Sequence, residues 1–166
     1  MAAGSDLSHV QTEADHMNVV TRSDGVVRTA AVLAAIGFGG LATFQAALAA
    51  GAPWGHAAWG GEEAHLSAAQ RGASAVAAVV YVAATLIVLG RAGIWRAQPN
   101  AIVFRWGTWL LAVVMLLGAV PNFASQSRWE NFIFGPLALV LAGLCFLVAR
   151  SAAAGPARGN AHAAEP

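Results

Sequence analysis

The feature that most constrains the fold of this chain is a series of four long apolar segments separated by short polar stretches. They extend over about residues 26–50, 73–89, 103–120 and 131–149. An apolar α-helix needs about 20 residues to cross a hydrocarbon core of about 30 Å. The chain is 58% apolar and 10% charged, whereas soluble domains are roughly 45–50% apolar and 25% charged. The sequence therefore predicts an all-α bundle of four transmembrane helices in up-down order.

Polar segments flank the predicted helices. Residues 1–25 and 151–166 show no recurring apolar face, and the second segment is rich in Ala, Gly and Pro. Segments of this kind bury too little apolar surface to offset the entropy lost on folding. We therefore expect disordered cytoplasmic tails on either side of one transmembrane domain at residues 26–150.

The arginines predict the orientation, because the cytoplasmic flanks of membrane proteins carry an excess of Arg and Lys. Seven arginines lie on the flanks that include both chain ends, and only Arg71 and Arg128 lie on the other side. This distribution favours a multi-pass protein of the cell membrane with both termini in the cytoplasm. The loop between the first two helices then faces outward. Tryptophans at both predicted boundaries are typical of an aromatic belt.

Polar side chains outside the tails collect at the predicted outer face. We interpret them as a shallow ligand pocket, roofed by the loop at residues 51–70 and floored by side chains at the helix ends. A glutamine on a stripe of small residues, as in the first helix, can hydrogen-bond across a bundle. Ordinary loop polarity accounts for the same pattern, so this alternative stays open. The candidate ligand-binding residues are Gln45, His56, Asn122, Ser125, Arg128 and Glu130.

The sequence favours neither a metal site nor a bound cofactor. His56, Glu62, Glu63 and His65 carry suitable ligand atoms, but their spacing fits no compact metal motif. No apolar segment has Asp, Glu, Lys, Arg or His at its middle, where proton-coupled transporters normally carry such a residue. The single cysteine, Cys145, lacks the partner that a thiol oxidoreductase requires. Scattered arginines and a net charge of +1 give no nucleic-acid footprint.

Three stretches resemble a known family: FQAALAAGAPWGHAAWGG from Phe44, RGAS from Arg71 and NFASQSRWENFIFGP from Asn122. They are similar to uncharacterised small four-helix integral membrane proteins of actinobacteria and other bacteria. The resemblance covers about residues 28–150, and it implies the fold and a membrane location without an activity. His56 lies outside the family's pattern. The matching positions are Gln45, Gly51, Pro53, Gly55, Gly60, Asn122, Ser125, Ser127, Glu130 and Pro136.

Two functional hypotheses follow from these observations. In the first, a non-enzymatic membrane protein binds a lipid, a small apolar ligand or a partner subunit, including a second copy of itself, at its outer face. In the second, a membrane isomerase or hydrolase acts on a lipid-like substrate at the outer leaflet. That enzyme would use Glu130, Glu62 or His56 as acid or base. No catalytic residue is assigned from the sequence, and a channel or transporter has the least support.

Overall fold

Four long helices make up most of the structure. The computed structural model describes the backbone over residues 3–95 and 99–151. The helices are α1 (Ala3–Ala50), α2 (Ala68–Arg91), α3 (Ile102–Ala124) and α4 (Gly135–Arg150). Within those two ranges there is no strand, and the predicted all-α class is confirmed.

The helices α1, α2 and α3, and α4 together with the five residues before it, each provide a segment long and apolar enough to cross a membrane, and most of that segment's surface faces outward. Between 17% and 39% of the most apolar part of each segment is buried inside the structure. Large side chains such as Val79, Leu110 and Phe132 are 69%, 62% and 74% exposed. Apolar surface on this scale marks contact with a membrane or another protein rather than with water. The architecture is consistent with a multi-pass membrane protein. The segments are Asp24–Ala50, Ala68–Arg91, Ile102–Ala124 and Glu130–Arg150.

Small side chains allow the helices to pack closely. The core combines alanines such as Ala34 and Ala84 with the larger buried side chains Phe38, Val88 and Leu141. A Cβ atom on Gly37 would lie 2.7 Å from Cδ2 of Leu141. Glycine at this position therefore lets α1 approach α4, as small residues do between membrane helices.

The first helix is longer than the sequence indicated. We expected a disordered segment over residues 1–25, whereas α1 runs from Ala3 to Ala50 without interruption. Residues 5–24 contain neither glycine nor proline. Gly25, at the junction with the apolar stretch, costs a helix interior only about 1 kcal/mol, so the helix continues across it. The predicted C-terminal tail at residues 151–166 lies outside the described residues after Ser151.

The second helix begins earlier than predicted because Ser67 and Gln70 form a capping box. The Ser67 N–H donates to the side chain of Gln70 at 3.0 Å, and the Gln70 N–H donates to Oγ of Ser67 at 3.3 Å. This exchange satisfies two backbone donors that a helix start otherwise leaves unpaired. The third helix also extends past residue 120, where its predicted segment ends, and continues through Pro121 to Ala124. A proline inside a helix removes one hydrogen bond and crowds the carbonyl four residues earlier, which can kink a helix without ending it.

The chain forms a π turn just before Pro136. Glu130–Phe134 forms this turn, and the N–H of Gly135 donates to the carbonyl oxygen of Glu130, five residues earlier. Pro136 then lies in the first turn of α4, where a missing N–H has the least effect. Single π turns are frequent at functional sites, and this one directs Glu130 and Phe134 toward the interior space described below.

Contacts between the segments that join the helices define the two ends of the bundle. At the loop end, the segment at residues 51–67 packs on the turn at residues 125–129, and Oγ of Ser127 donates to the carbonyl oxygen of His56 at 2.7 Å. At the opposite end, the guanidinium of Arg91 donates to the carbonyl oxygens of Ala149 and Ser151. Successive helices therefore run in alternating directions.

Candidate ligand-binding site

The loop that covers one end of the bundle is anchored at the end of α1. The N–H of Gly51 donates to Leu48 O at 3.0 Å and that of Ala52 to Ala47 O at 3.0 Å. Gly51 has a φ of 100°, so the helix ends in a Schellman motif that favours glycine. Nε of Arg71, on α2, donates to a further carbonyl of this terminus, that of Ala49, at 3.0 Å.

The middle of the loop contains three consecutive residues with left-handed backbone. Trp59, Gly60 and Gly61 have φ values of 54°, 87° and 76°. A non-glycine residue in this region costs about 1–3 kcal/mol and persists where its surroundings hold it. Trp59 is held by its indole N–H, which donates to Oγ of the fully buried Ser74 at 3.1 Å. The result is a fixed turn that presents the N–H of Gly60 to the bundle.

The carboxylate of Glu130 accepts a hydrogen bond from the Gly60 N–H, and it thereby links the loop at residues 51–67 to the turn at residues 125–129. Its carboxylate oxygens lie 3.2 and 3.4 Å from the N of Gly60, and it also accepts the hydroxyl hydrogen of Ser125. Oγ of Ser125 in turn accepts the N–H of Ser127 at 3.0 Å. Hydrogen bonds to a carboxylate are stronger than neutral ones, so Glu130 stabilises the loop against the turn.

A polar cavity of about 110 Å³ lies between the helices at the loop end. A water molecule requires about 10–15 Å³ of such space, so the cavity has room for several waters or a small head group. Its wall is mixed, with polar side chains set among apolar ones. The polar cavity is lined by Leu41, Phe44, Gln45, Ala57, Ala58, Tyr81, Met115, Gly118, Asn122, Glu130, Phe134 and Ala138.

Gln45 brings an unpaired acceptor to this wall. Its Oε1 atom is buried and has no hydrogen-bond partner. A buried acceptor without a donor costs about 1–3 kcal/mol. Asn122 differs, because its side-chain N–H donates to Gly118 O on its own helix at 2.8 Å. Gln45 is thus the polar side chain that most needs a partner from within the cavity.

An aromatic groove of about 510 Å³ adjoins the polar cavity. Phe44 stacks on Trp54 with ring centroids 6.3 Å apart and contacts Phe134 at 5.0 Å. Phe44, Ala57 and Phe134 line both spaces, so the Phe44–Phe134 pair forms part of the wall between them. The aromatic groove is lined by Phe44, Pro53, Trp54, His56, Ala57, Trp129, Ile133 and Phe134.

The structure divides the six candidate residues among different positions. Gln45, Asn122 and Glu130 line the polar cavity together, and Ser125 holds Glu130 in place. The other two lie elsewhere. His56 lines the aromatic groove, where its Nδ1 lies 3.0 Å from Gly61 O. Arg128 is exposed on the turn, outside both linings.

Three residues that shape the site are not among the six candidates. Tyr81 lines the polar cavity, and its position on the same helix face as Ser74 was a usable signal. Ser127, 5% exposed, joins the turn to the loop. Phe134 lies between the two spaces because of the π turn, and no local pattern predicts that geometry.

The polar groups of the cavity wall include acceptor oxygens, on Gln45 and Glu130, and neutral donors, the Gln45 amide N–H groups and the Tyr81 hydroxyl. Among the described residues that line the polar cavity, none is Lys, Arg or His. Within the described ranges, no group of three or more His, Cys, Asp and Glu side chains has a geometry that could hold a metal ion. The chemistry of the site therefore comes from the Gln45 amide, the Glu130 carboxylate, the Asn122 amide and the Tyr81 hydroxyl.

Fold and site together define a class: an all-helical chain with four helices able to cross a membrane and a polar cavity beside an aromatic groove at one end. No protein-family model, curated protein or solved structure matches the chain.

Proposed function

We propose that this is a membrane protein that binds an amphipathic molecule from the bilayer at its loop end. The observation that carries the proposal is the junction of a polar cavity, containing an unpaired Gln45 Oε1, with an apolar groove across the Phe44–Phe134 pair. Ligand sites are mostly apolar and contain a few placed polar groups. The tail would occupy the aromatic groove and the head group the polar cavity, with Phe134 rotating to join them.

The proposal includes the orientation in the cell membrane. With both termini cytoplasmic, the loop end faces outward and the exposed Trp54 and Trp129 lie at head-group depth, as expected for aromatic belts. A ligand would then enter from the outer leaflet. Membership in the small four-helix family and association with a second copy or a partner subunit stay predictions.

The test compares lipid that co-purifies with the wild type and with two tryptophan variants. Phe134→Trp fills the boundary between the two spaces, whereas Phe132→Trp adds the same bulk on the same turn at a side chain that is 74% exposed. We expect about tenfold less bound amphiphile in Phe134→Trp, a loss of about 1.4 kcal/mol in binding, and no change in Phe132→Trp. The measurement is native mass spectrometry followed by extraction of the bound molecule. Equal occupancy in all three proteins contradicts the proposal.

A second candidate function is a membrane enzyme that uses the same site. It is favoured by the convergence of Glu130, Gln45 and Asn122 on one cavity, since an acid–base residue must lie within hydrogen-bond reach of its substrate. Of the other two acid–base candidates, His56 lines the groove and Glu62 lines a separate pocket beside the start of α2, which leaves Glu130 as the candidate in the polar cavity. Conversion of the extracted ligand by wild type and not by Glu130→Gln would support catalysis; identical ligand masses before and after incubation would support binding alone.

A further inference from the structure

We propose that the ligand's head group donates hydrogen bonds and carries no negative charge, as in a long-chain alcohol or amine. This inference rests on the proposed function and adds the chemistry of the head group to it. The binding molecule would be a single-chain amphiphile with a compact hydroxyl or ammonium group, rather than a phospholipid or a fatty acid.

The unpaired hydrogen-bonding atom of the cavity wall favours a head group that donates. Oε1 of Gln45 is buried without a donor, and Glu130 presents a carboxylate to the same space. The oxygens of both groups accept hydrogen bonds. The Gln45 amide and the Tyr81 hydroxyl also have donors, but the atom that is buried without a partner is the Gln45 acceptor. A hydroxyl or ammonium group supplies the donor that Gln45 lacks, whereas a carboxylate or phosphate supplies only acceptors and leaves the Gln45 oxygen unpaired.

The charge of the cavity lining disfavours an anionic head group. Of the described residues in the lining, none carries a positive charge, and Glu130 carries a carboxylate. The arginines of the loop end lie outside this lining: Arg71 donates to Ala49 O at the end of α1 and Arg128 is exposed on the turn. An anion transferred into this space would lose its hydration without gaining a cationic partner, which is strongly unfavourable. The site therefore selects against anionic head groups.

The volumes of the two spaces favour a small head group on an apolar chain. The polar cavity is about 110 Å³ and holds a head group of only a few atoms, while the adjoining groove is larger, at about 510 Å³, and mainly aromatic. The groove's exposed rim residues, Trp54 and Trp129, are amphipathic aromatics of the kind that favour the membrane interface. A small donor group on one apolar chain matches this pair of spaces.

The experiment uses three probes with the same tail: dodecanol, dodecylamine and dodecanoate. Each is titrated into the full-length protein in a mild detergent, and native mass spectrometry gives the apparent Kd. We expect the alcohol and the amine to bind about tenfold more tightly than the carboxylate. Gln45→Leu should weaken dodecanol binding about tenfold. Gln126→Leu is the matched control, because Gln126 is exposed at the same end and lies in neither lining, and it should leave the Kd unchanged.

The outcomes separate this inference from the proposed function. If dodecanoate binds as tightly as dodecanol, or if Gln45→Leu leaves dodecanol binding intact, the head-group assignment is wrong while amphiphile binding stands. If none of the probes binds and no amphiphile co-purifies with the wild type, the proposed function fails and this inference fails with it.

Discussion

Two neighbouring glycines show how strongly single residues fix the loop over the site. Gly60 and Gly61 both have left-handed backbone, with φ values of 87° and 76°. A Cβ on Gly60 would meet no atom within 4 Å, whereas one on Gly61 would lie 2.9 Å from Cβ of Ser127 and 3.0 Å from His56 O. Gly60 is required only for its left-handed backbone, whereas Gly61 is required both for its left-handed backbone and because a side chain would collide with the turn.

This difference leads to a paired prediction. Gly60→Ala should destabilise the protein by about 1–2 kcal/mol, because an L-residue in left-handed backbone costs roughly that amount. Gly61→Ala should cost about 1–3 kcal/mol more, since the added methyl overpacks the contact with Ser127. Unfolding in mixed detergent, followed by circular dichroism, measures both. Equal destabilisation would mean that the loop moves away from the turn without cost.

The polarity of a residue and its position along a predicted helix were enough to select some residues of the candidate site. They were not enough to predict the hydrogen-bond partners of those residues. Gln45 and Asn122 were predictable because each is a polar residue at the end of an apolar helix. The partner of Glu130 was not, because the Gly60 N–H that it accepts is 70 residues away in the chain. His56 and Arg128 were selected by polarity alone. His56 lines the aromatic groove and Arg128 is exposed on the turn, so neither lines the polar cavity.

At the scale of elements, length and hydropathy predicted the existence of all four helices, whereas their boundaries depended on local chemistry. The capping box at Ser67 and Gln70 was readable in the sequence and sets the start of α2. The π turn was not readable. Pro136 indicates a disturbance, but its form depends on packing, since a Cβ on Gly135 would lie 3.0 Å from the ring of Phe123. That contact joins α3 to α4 and has no local signature.

The end of α4 gives a second prediction. Arg91 is 5% exposed and donates to the carbonyl oxygens of Pro99, at 3.3 Å, and of Ala149 and Ser151. Arg91→Met keeps much of the side-chain volume and removes these donors, so we expect a loss of about 1–3 kcal/mol from unpaired carbonyl groups. Hydrogen exchange should also become faster in the last turn of α4.

The control for this variant is Arg150→Met. Arg150 is exposed and lies over the ring of Phe146, 5.9 Å from its centroid. A surface substitution of this kind usually changes stability by less than about 0.5 kcal/mol. Similar losses in both variants would show that positive charge at this end matters, rather than the pairing of Arg91 with helix carbonyls.

For the whole molecule, the two ends of the bundle differ in their chemistry. The loop end contains the cavity, the groove and few arginines, while the opposite end contains Arg91, Arg105 and Arg150. Positive charge is retained on the cytoplasmic side during insertion. Ligand entry from the outer leaflet therefore depends on an orientation that the arrangement of charge predicts and that labelling can test.

The labelling test places one accessible cysteine at each end. Glu63→Cys and Asn100→Cys both substitute exposed residues, at the loop end and the opposite end respectively, and the native Cys145 is fully buried, so the unsubstituted protein serves as the blank. In intact cells, a membrane-impermeant maleimide should react with Glu63→Cys and should reach Asn100→Cys only after permeabilisation. The reverse pattern would put the loop end in the cytoplasm. The polar cavity would keep its preference for donor head groups in that case, but its ligand would have to come from the inner leaflet, because the groove opens beside Trp54 and Trp129 at that end alone.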